Sequence, residues 1–184
     1  YEGIESTVIT INDGNIHINA SNDPINASDG TTAMVTVTQG PGGGMPPGGE
    51  NSPNVFLYIN GGYIALYNKN TNDSDGFDSN GSIVMTGGIV IINGGVGMNG
   101  IMDYGSFKMS GGFIIGAGTS AMPLPAGDAT STQNSLFAYL NGTAGTLFHV
   151  QRSDGVNIVT FAPSINFQAI EFSSPLLVKN DSYT

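Results

Sequence analysis

Ile83-Val84-Met85-Thr86-Gly87-Gly88-Ile89-Val90-Ile91-Ile92 is the stretch on which the fold turns. Apolar residues alternate with others, a polar-Gly-Gly step interrupts, and an apolar run resumes. The same outline returns in Leu57-Tyr58-Ile59-Asn60-Gly61-Gly62-Tyr63-Ile64-Ala65-Leu66 and in Phe107-Lys108-Met109-Ser110-Gly111-Gly112-Phe113-Ile114-Ile115-Gly116. Ile9-Thr10-Ile11-Asn12-Asp13-Gly14-Asn15-Ile16-His17-Ile18 carries it with Asp-Gly at the step. The last glycine of each step stands at 14, 62, 88 and 112, so the gaps are 48, 26 and 24, the first close to two of the others. A period near 25, with one less recognisable unit from roughly 31 to 56, is the mark of a solenoid.

Alternation at period two describes strands with one buried face. Helices are disfavoured, because no 3.6-residue pattern is sustained and glycine is frequent. Two strands joined by Gly-Gly could make a hairpin. Hairpins, however, need no recurrence of the same inward set every 25 residues, whereas stacked coils do. The expectation is therefore all-β: a right-handed parallel β-helix over 1–133, with glycines at its corners where a side chain would not fit. Asn12, Asn60, Thr86 and Ser110 would stack as a polar ladder just before the corner.

Two segments leave the pattern. Gln39 to Pro53 (QGPGGGMPPGGENSP) is too rich in Gly and Pro for regular structure and reads as a loop thrown out from a coil. From 134 to 184 the strand-like runs Leu136–Leu140, Gly145–Val150, Gly155–Phe161 and Ala169–Phe172 are separated by Asn141-Gly142 and Asp154-Gly155, which suit antiparallel turns. This region is expected to be an antiparallel cap on the open end of the stack.

Composition narrows the function. The 184 residues suggest one domain. Fourteen acidic side chains face only four basic ones, Lys69, Lys108, Arg152 and Lys179, for a net charge of −10, so no basic patch exists for nucleic acid. No apolar run is long enough to span a membrane, and the absence of cysteine excludes disulfides and thiolate metal sites.

A second element recurs between the strand units. Glu2-Gly3-Ile4-Glu5, Asp23-Pro24-Ile25-Asn26, Asp75-Gly76-Phe77-Asp78 and Asn99-Gly100-Ile101-Met102-Asp103 share the form acid or amide, turn residue, apolar plug, acid or amide, the last with one extra residue. Asn26 to Asp78 is 52 residues and Asp78 to Asp103 is 25, in phase with the strand repeat. Stacked strands lie ~4.8 Å apart. Like charges at that spacing repel by roughly 3 kcal/mol at an effective dielectric near 20. A divalent cation between them would reverse the sign, and oxygen-only donors select calcium. Asp73-Ser74-Asp75-Gly76-Phe77-Asp78-Ser79-Asn80 is the densest oxygen cluster, yet it lacks the flanking helices and final glutamate of an EF-hand. An isolated Asp-Gly turn would be read as a solvated loop; the in-phase recurrence is what argues for calcium. His17 reads as solvent-facing and His149 as structural, and the spacing of these two histidines suggests no nucleophilic triad. Outward tyrosines, Phe107 and Phe113 could stack on sugar rings, although aromatics in strands more often serve the core.

YEGIESTVITINDGNIHINASNDPINA (1–27), INGGYIALY (59–67), DSDGFDSNGSIVMTGG (73–88), MDYGSFKMSGG (102–112) and FAPSINFQAIEFSSPLLVKNDSYT (161–184) resemble a family of secreted bacterial β-helix proteins, the carbohydrate-binding domain proteins. The resemblance covers essentially the whole chain. It implies a fold similar to that of pectate lyases and, as in clostridial surface members, binding of cellulose or polygalacturonate with calcium between coils. It also implies calcium ligands at Asp23, Asn26, Asp73, Asp75, Asp78, Asn80 and Asp103. Two departures stand out. The family usually reads Asp-Asp-Gly-Ile-Asn where this chain has Asn22-Asp23-Pro24-Ile25-Asn26, and often has an aspartate where Gly105 stands.

Three functions are weighed. The first is a calcium-assisted binder of acidic or cellulosic polysaccharide, extracellular or on a bacterial cell surface, where repeated weak sites add by avidity. The second is a structural subunit, a homo-oligomer stacked end to end into a fibre or matrix. The third, least favoured, is a lyase, which by analogy with this fold class commonly needs a Lys or Arg base that no recognisable motif supplies here. No catalytic residue is assigned, and the sugar-contacting residues are left unassigned.

Overall fold

The computed structural model describes residues 1–30, 52–68, 74–95, 97 and 99–184. The expected Gly/Pro-rich loop at 39–53 lies outside them except for Ser52 and Pro53, and so do Asp73 and Lys69.

Alternating sequence becomes alternating burial. In β7 (Phe77–Met85) every second residue from Phe77 is buried. The other strands of the same sheet are β1 (Ile4–Ser6), β2 (Val8–Ile11), β4 (Ile25–Ala27), β5 (Phe56–Ile59) and β9 (Met102–Met109). All of their pairings are parallel, in the order β1-β4-β7-β5-β2, with β9 also on β7. The second sheet runs β11-β14-β10-β8-β6-β3 and comprises β3 (Asn15–Ala20), β6 (Tyr63–Asn68), β8 (Ile89–Asn93), β10 (Phe113–Gly118), β11 (Ser135–Gly142) and β14 (Phe167–Ser173). It is parallel from β3 to β10 and antiparallel at β14 and β11. A two-stranded antiparallel pair, β12 (Phe148–Gln151) and β13 (Asn157–Phe161), completes the fold.

The right-handed β-helix solenoid with an antiparallel capping module is therefore corrected. Two features overturn it. From the plugs Phe77 and Met102 onward the acidic segments are strand, so β7 and β9, nine and eight residues long, carry plug and alternating run in one piece. Because β7 pairs with β4 along its first half and with β5 along its second, the sheet path returns toward its start and is nearly closed, like a barrel wall. In addition, the antiparallel strand β14 hydrogen-bonds directly to β10, which makes the second sheet mixed. Periodicity sets the register between neighbouring strands, but it does not determine how the sheets close.

The main core lies between the two sheets, with Leu57, Ile59, Phe77, Ile83, Phe107, Ile64, Leu66 and Ile92 fully buried in it. A second core sits on the other face of the mixed sheet, where Ile115, Ile170 and Phe172 pack under Phe148, Val150 and Ile158 of the β12–β13 pair. The glycines of the repeated step, Gly14, Gly62, Gly88 and Gly112, all have positive φ. Gly88 has φ +88°, and a Cβ there would stand 2.8 Å from the Gly61 carbonyl oxygen. Beside it, Asn60 Nδ2 donates to Asn12 Oδ1 at 2.9 Å and Thr86 Oγ1 donates to Asn60 Oδ1 at 3.0 Å, forming the side-chain ladder. Ser110 continues the row through its backbone, its N–H donating to the Met85 carbonyl at 2.9 Å.

Candidate functional site

Four parallel strands place Glu5, Asn26, Asp78 and Asp103 side by side as register partners on β1, β4, β7 and β9. One residue earlier in each strand, Ile4, Ile25, Phe77 and Met102 point into the core and fix the polar row on the opposite face. Glu5 is exposed, whereas Asn26, Asp78 and Asp103 are half-buried. Neighbours in such a row are separated by one strand spacing, ~4.8 Å. Asn80, half-buried, follows Asp78 by two residues on the same strand face, and its backbone carbonyl accepts from Ser52 N–H at 2.6 Å.

A second row runs through the strand entries. The Asp75 N–H donates to Asp23 Oδ1 at 2.7 Å, and the Gly100 N–H donates to Asp75 Oδ1 at 2.7 Å. Each carboxylate thus holds the backbone of a segment far along the chain, 52 residues on from Asp23 and 25 on from Asp75. Asp23 and Asp75 are both buried, at 7% and 4% exposure. Asn68 Nδ2 donates to Ser74 Oγ beside them. Burial first, then the carboxylates of Asp103 and Asp23, raise Asp75 to about 8 against the lowering effect of the Gly100 N–H, with Asp78 adding a smaller push. The Asn26 Oδ1 is buried and lacks a hydrogen-bond partner among the described residues.

Of the seven residues assigned to calcium, Asp23, Asn26, Asp75, Asp78 and Asp103 converge on these two rows, Asn80 lies along the strand from them, and Asp73 is outside the described residues. Among the described residues no three His, Cys, Asp or Glu side chains are disposed to enclose a metal ion. The fit to calcium rests instead on donor chemistry. Every donor is oxygen, the Asn26 Oδ1 is unsatisfied, and Asp23 and Asp75 each spend one oxygen on a backbone N–H. Glu5, which completes the outer row, was not among the seven; its position in the Glu2-Gly3-Ile4-Glu5 repeat was the signal that could have placed it there.

The aromatic expectations divide. Phe107 is fully buried and offers no face to a sugar, and Phe113 is half-buried, packed against the second core. The stacked aromatic pair on an outward strand face is Phe56 and Tyr58 of β5, with ring centroids 5.4 Å apart and planes 11° from parallel. Their register partners Ser82 and Val84 continue the strand face that carries Asp78 and Asn80. His17 is exposed, hydrogen-bonded to Asn15 Oδ1 and 5.7 Å from the Tyr63 ring, and His149 is bonded to Thr160 Oγ1.

No family model, curated protein or solved structure matches the chain.

Proposed function

We propose that this protein is an extracellular or cell-surface binding protein, not an enzyme, that recognises acidic or cellulosic polysaccharide with the help of calcium. The observation that carries this reading is the in-register row Glu5-Asn26-Asp78-Asp103 beside the buried Asp23-Asp75 row. All-oxygen donors, carboxylates with one unsatisfied amide among them, suit a hard cation, and Asp23, Asn26, Asp75, Asp78 and Asp103 are the donors these rows would offer it. A bound calcium would neutralise the rows and leave coordination positions for uronate or hydroxyl oxygens. The aromatic pair Phe56 and Tyr58, on the same sheet, offers an apolar surface to a sugar ring. The resemblance of the chain's motifs to the secreted carbohydrate-binding domain proteins points the same way.

The test is retention on polygalacturonate and on cellulose, with calcium and with chelator, alongside metal analysis of the purified protein. Calcium in the protein and chelator-sensitive retention support the reading. Retention that chelator leaves unchanged removes calcium from it, and no retention on either polymer removes the polysaccharide.

A further inference from the structure

A cleft of about 560 Å³ opens on the far side of the mixed sheet, between the start of β11, strand β12 and the C-terminal segment. It belongs to the second core, not to the parallel sheet that carries the acidic rows. Its floor is Phe148, Val150, Phe172 and Leu177, all at most 9% exposed, with Leu136 standing at the mouth. The Phe148 and Phe172 rings meet edge to face at 5.9 Å in this floor. One side is closed by a strap. The Thr184 N–H donates to the Gln151 carbonyl at 2.8 Å, and the Gln151 N–H donates to the Thr184 carbonyl at 2.7 Å.

The polar groups on the wall are largely committed to the protein. Tyr183 Oη is bonded to both the N–H and the carbonyl of Val178, Asn134 Nδ2 donates to the Leu177 carbonyl, and the His149 ring is bonded to Thr160. Among the residues that line the cleft, the charged side chain is Lys179, whose ammonium makes no ion pair among the described residues. In a chain of net charge −10 with four basic residues, a cation at the rim of an apolar cleft selects by sign. An open apolar cleft of this size with a charged group at its rim has the form of a site for a small amphipathic ligand.

The geometry points to a binding site for an amphipathic monocarboxylate, with the hydrocarbon body on Phe148, Val150, Phe172 and Leu177 and the carboxylate at Lys179. It is independent of the polysaccharide reading. Charge complementarity favours the carboxylate over a neutral or cationic amphiphile of the same length.

The test is calorimetric titration of the intact protein with decanoate, decan-1-ol and decylamine, each below its micellar range. Decanoate is expected to bind saturably at one site, and octanoate about fourfold more weakly per methylene removed. Lys179→Glu, at an exposed position, should weaken decanoate about tenfold while leaving decan-1-ol unchanged. The same reversal at the distant Lys108 should change neither. Leu136→Trp should block all binding by filling the mouth, with its melting temperature reporting that the fold is intact. Absence of saturable decanoate binding, equal affinity for decylamine, indifference to Lys179→Glu, or full binding by a folded Leu136→Trp would each overturn the assignment.

Discussion

Asp75 shows how much one side chain is asked to do. It holds the Gly100 N–H, gives its own N–H to Asp23, and sits among three other carboxylates. Asp75→Asn keeps the shape and an acceptor for Gly100 while removing the charge. In calcium-free buffer at pH 9 the variant should melt higher than the parent, because the parent must ionise a buried acid there. With calcium the order should narrow or reverse, since the parent gains a ligand that the variant lacks; melting curves with and without the ion check both. At the aromatic pair, Phe56→Ala with Tyr58→Ala should reduce polysaccharide retention severalfold, against a modest loss of stability from half-buried rings. Spacing alone found Asn26, Asp78 and Asp103, because parallel register converts sequence period directly into adjacency. It could not place Phe107, since an apolar residue in an alternating run has two faces to choose between and only the strand phase decides.

At the scale of elements, the acidic segment stands between the strand units in sequence and so reads as a turn, and Asp-Ser-Asn-Gly is poor strand sequence. Tertiary pairing overrode propensity: β7 runs straight through Gly81, with a register shift against β9 between Ser79 and Ser82. Glycine is required there for space, as a Cβ would come 2.2 Å from the Val55 carbonyl oxygen. Asn141-Gly142 misled in the same manner. It lies inside β11, where a Cβ on the glycine would strike the Phe167 ring at 2.3 Å, whereas Asp154-Gly155 is a turn as expected. The two uses of glycine separate in a measurement. Gly88→Ala adds a backbone clash to a left-handed φ and should cost about 2 kcal/mol or more in urea unfolding. Gly155→Ala, with φ +90° but open space around it, should cost only about 1 kcal/mol.

Across the whole molecule, the period of 25 yielded the parallel pairing and the corner glycines, but the mixed sheet and the second core came from long-range pairing of β14 with β10, which no local signal announces. That pairing buries Glu171 completely. Neither carboxylate oxygen has a hydrogen-bond partner among the described residues, and burial raises its pKa well above the ordinary value of 4.5. The sign follows from linkage. The folded chain keeps a proton that the unfolded chain releases near 4.5, so this residue's contribution is intact below that pH and is lost as pH rises toward the folded value. Glu171→Gln should therefore match the parent at pH 4 and exceed it at pH 8 by at least about 1 kcal/mol, read by urea unfolding at the two values.

The corner ladder bears on chemical ageing as well as on shape. An asparagine followed by glycine is the dipeptide most prone to cyclise and shed ammonia, and Asn60-Gly61 is such a pair on the surface. Its amide donates to Asn12 at one end and accepts from Thr86 at the other, so the rotation that cyclisation requires must first break those two bonds. Stored protein should thus keep this corner unaltered for as long as the layers stay in register.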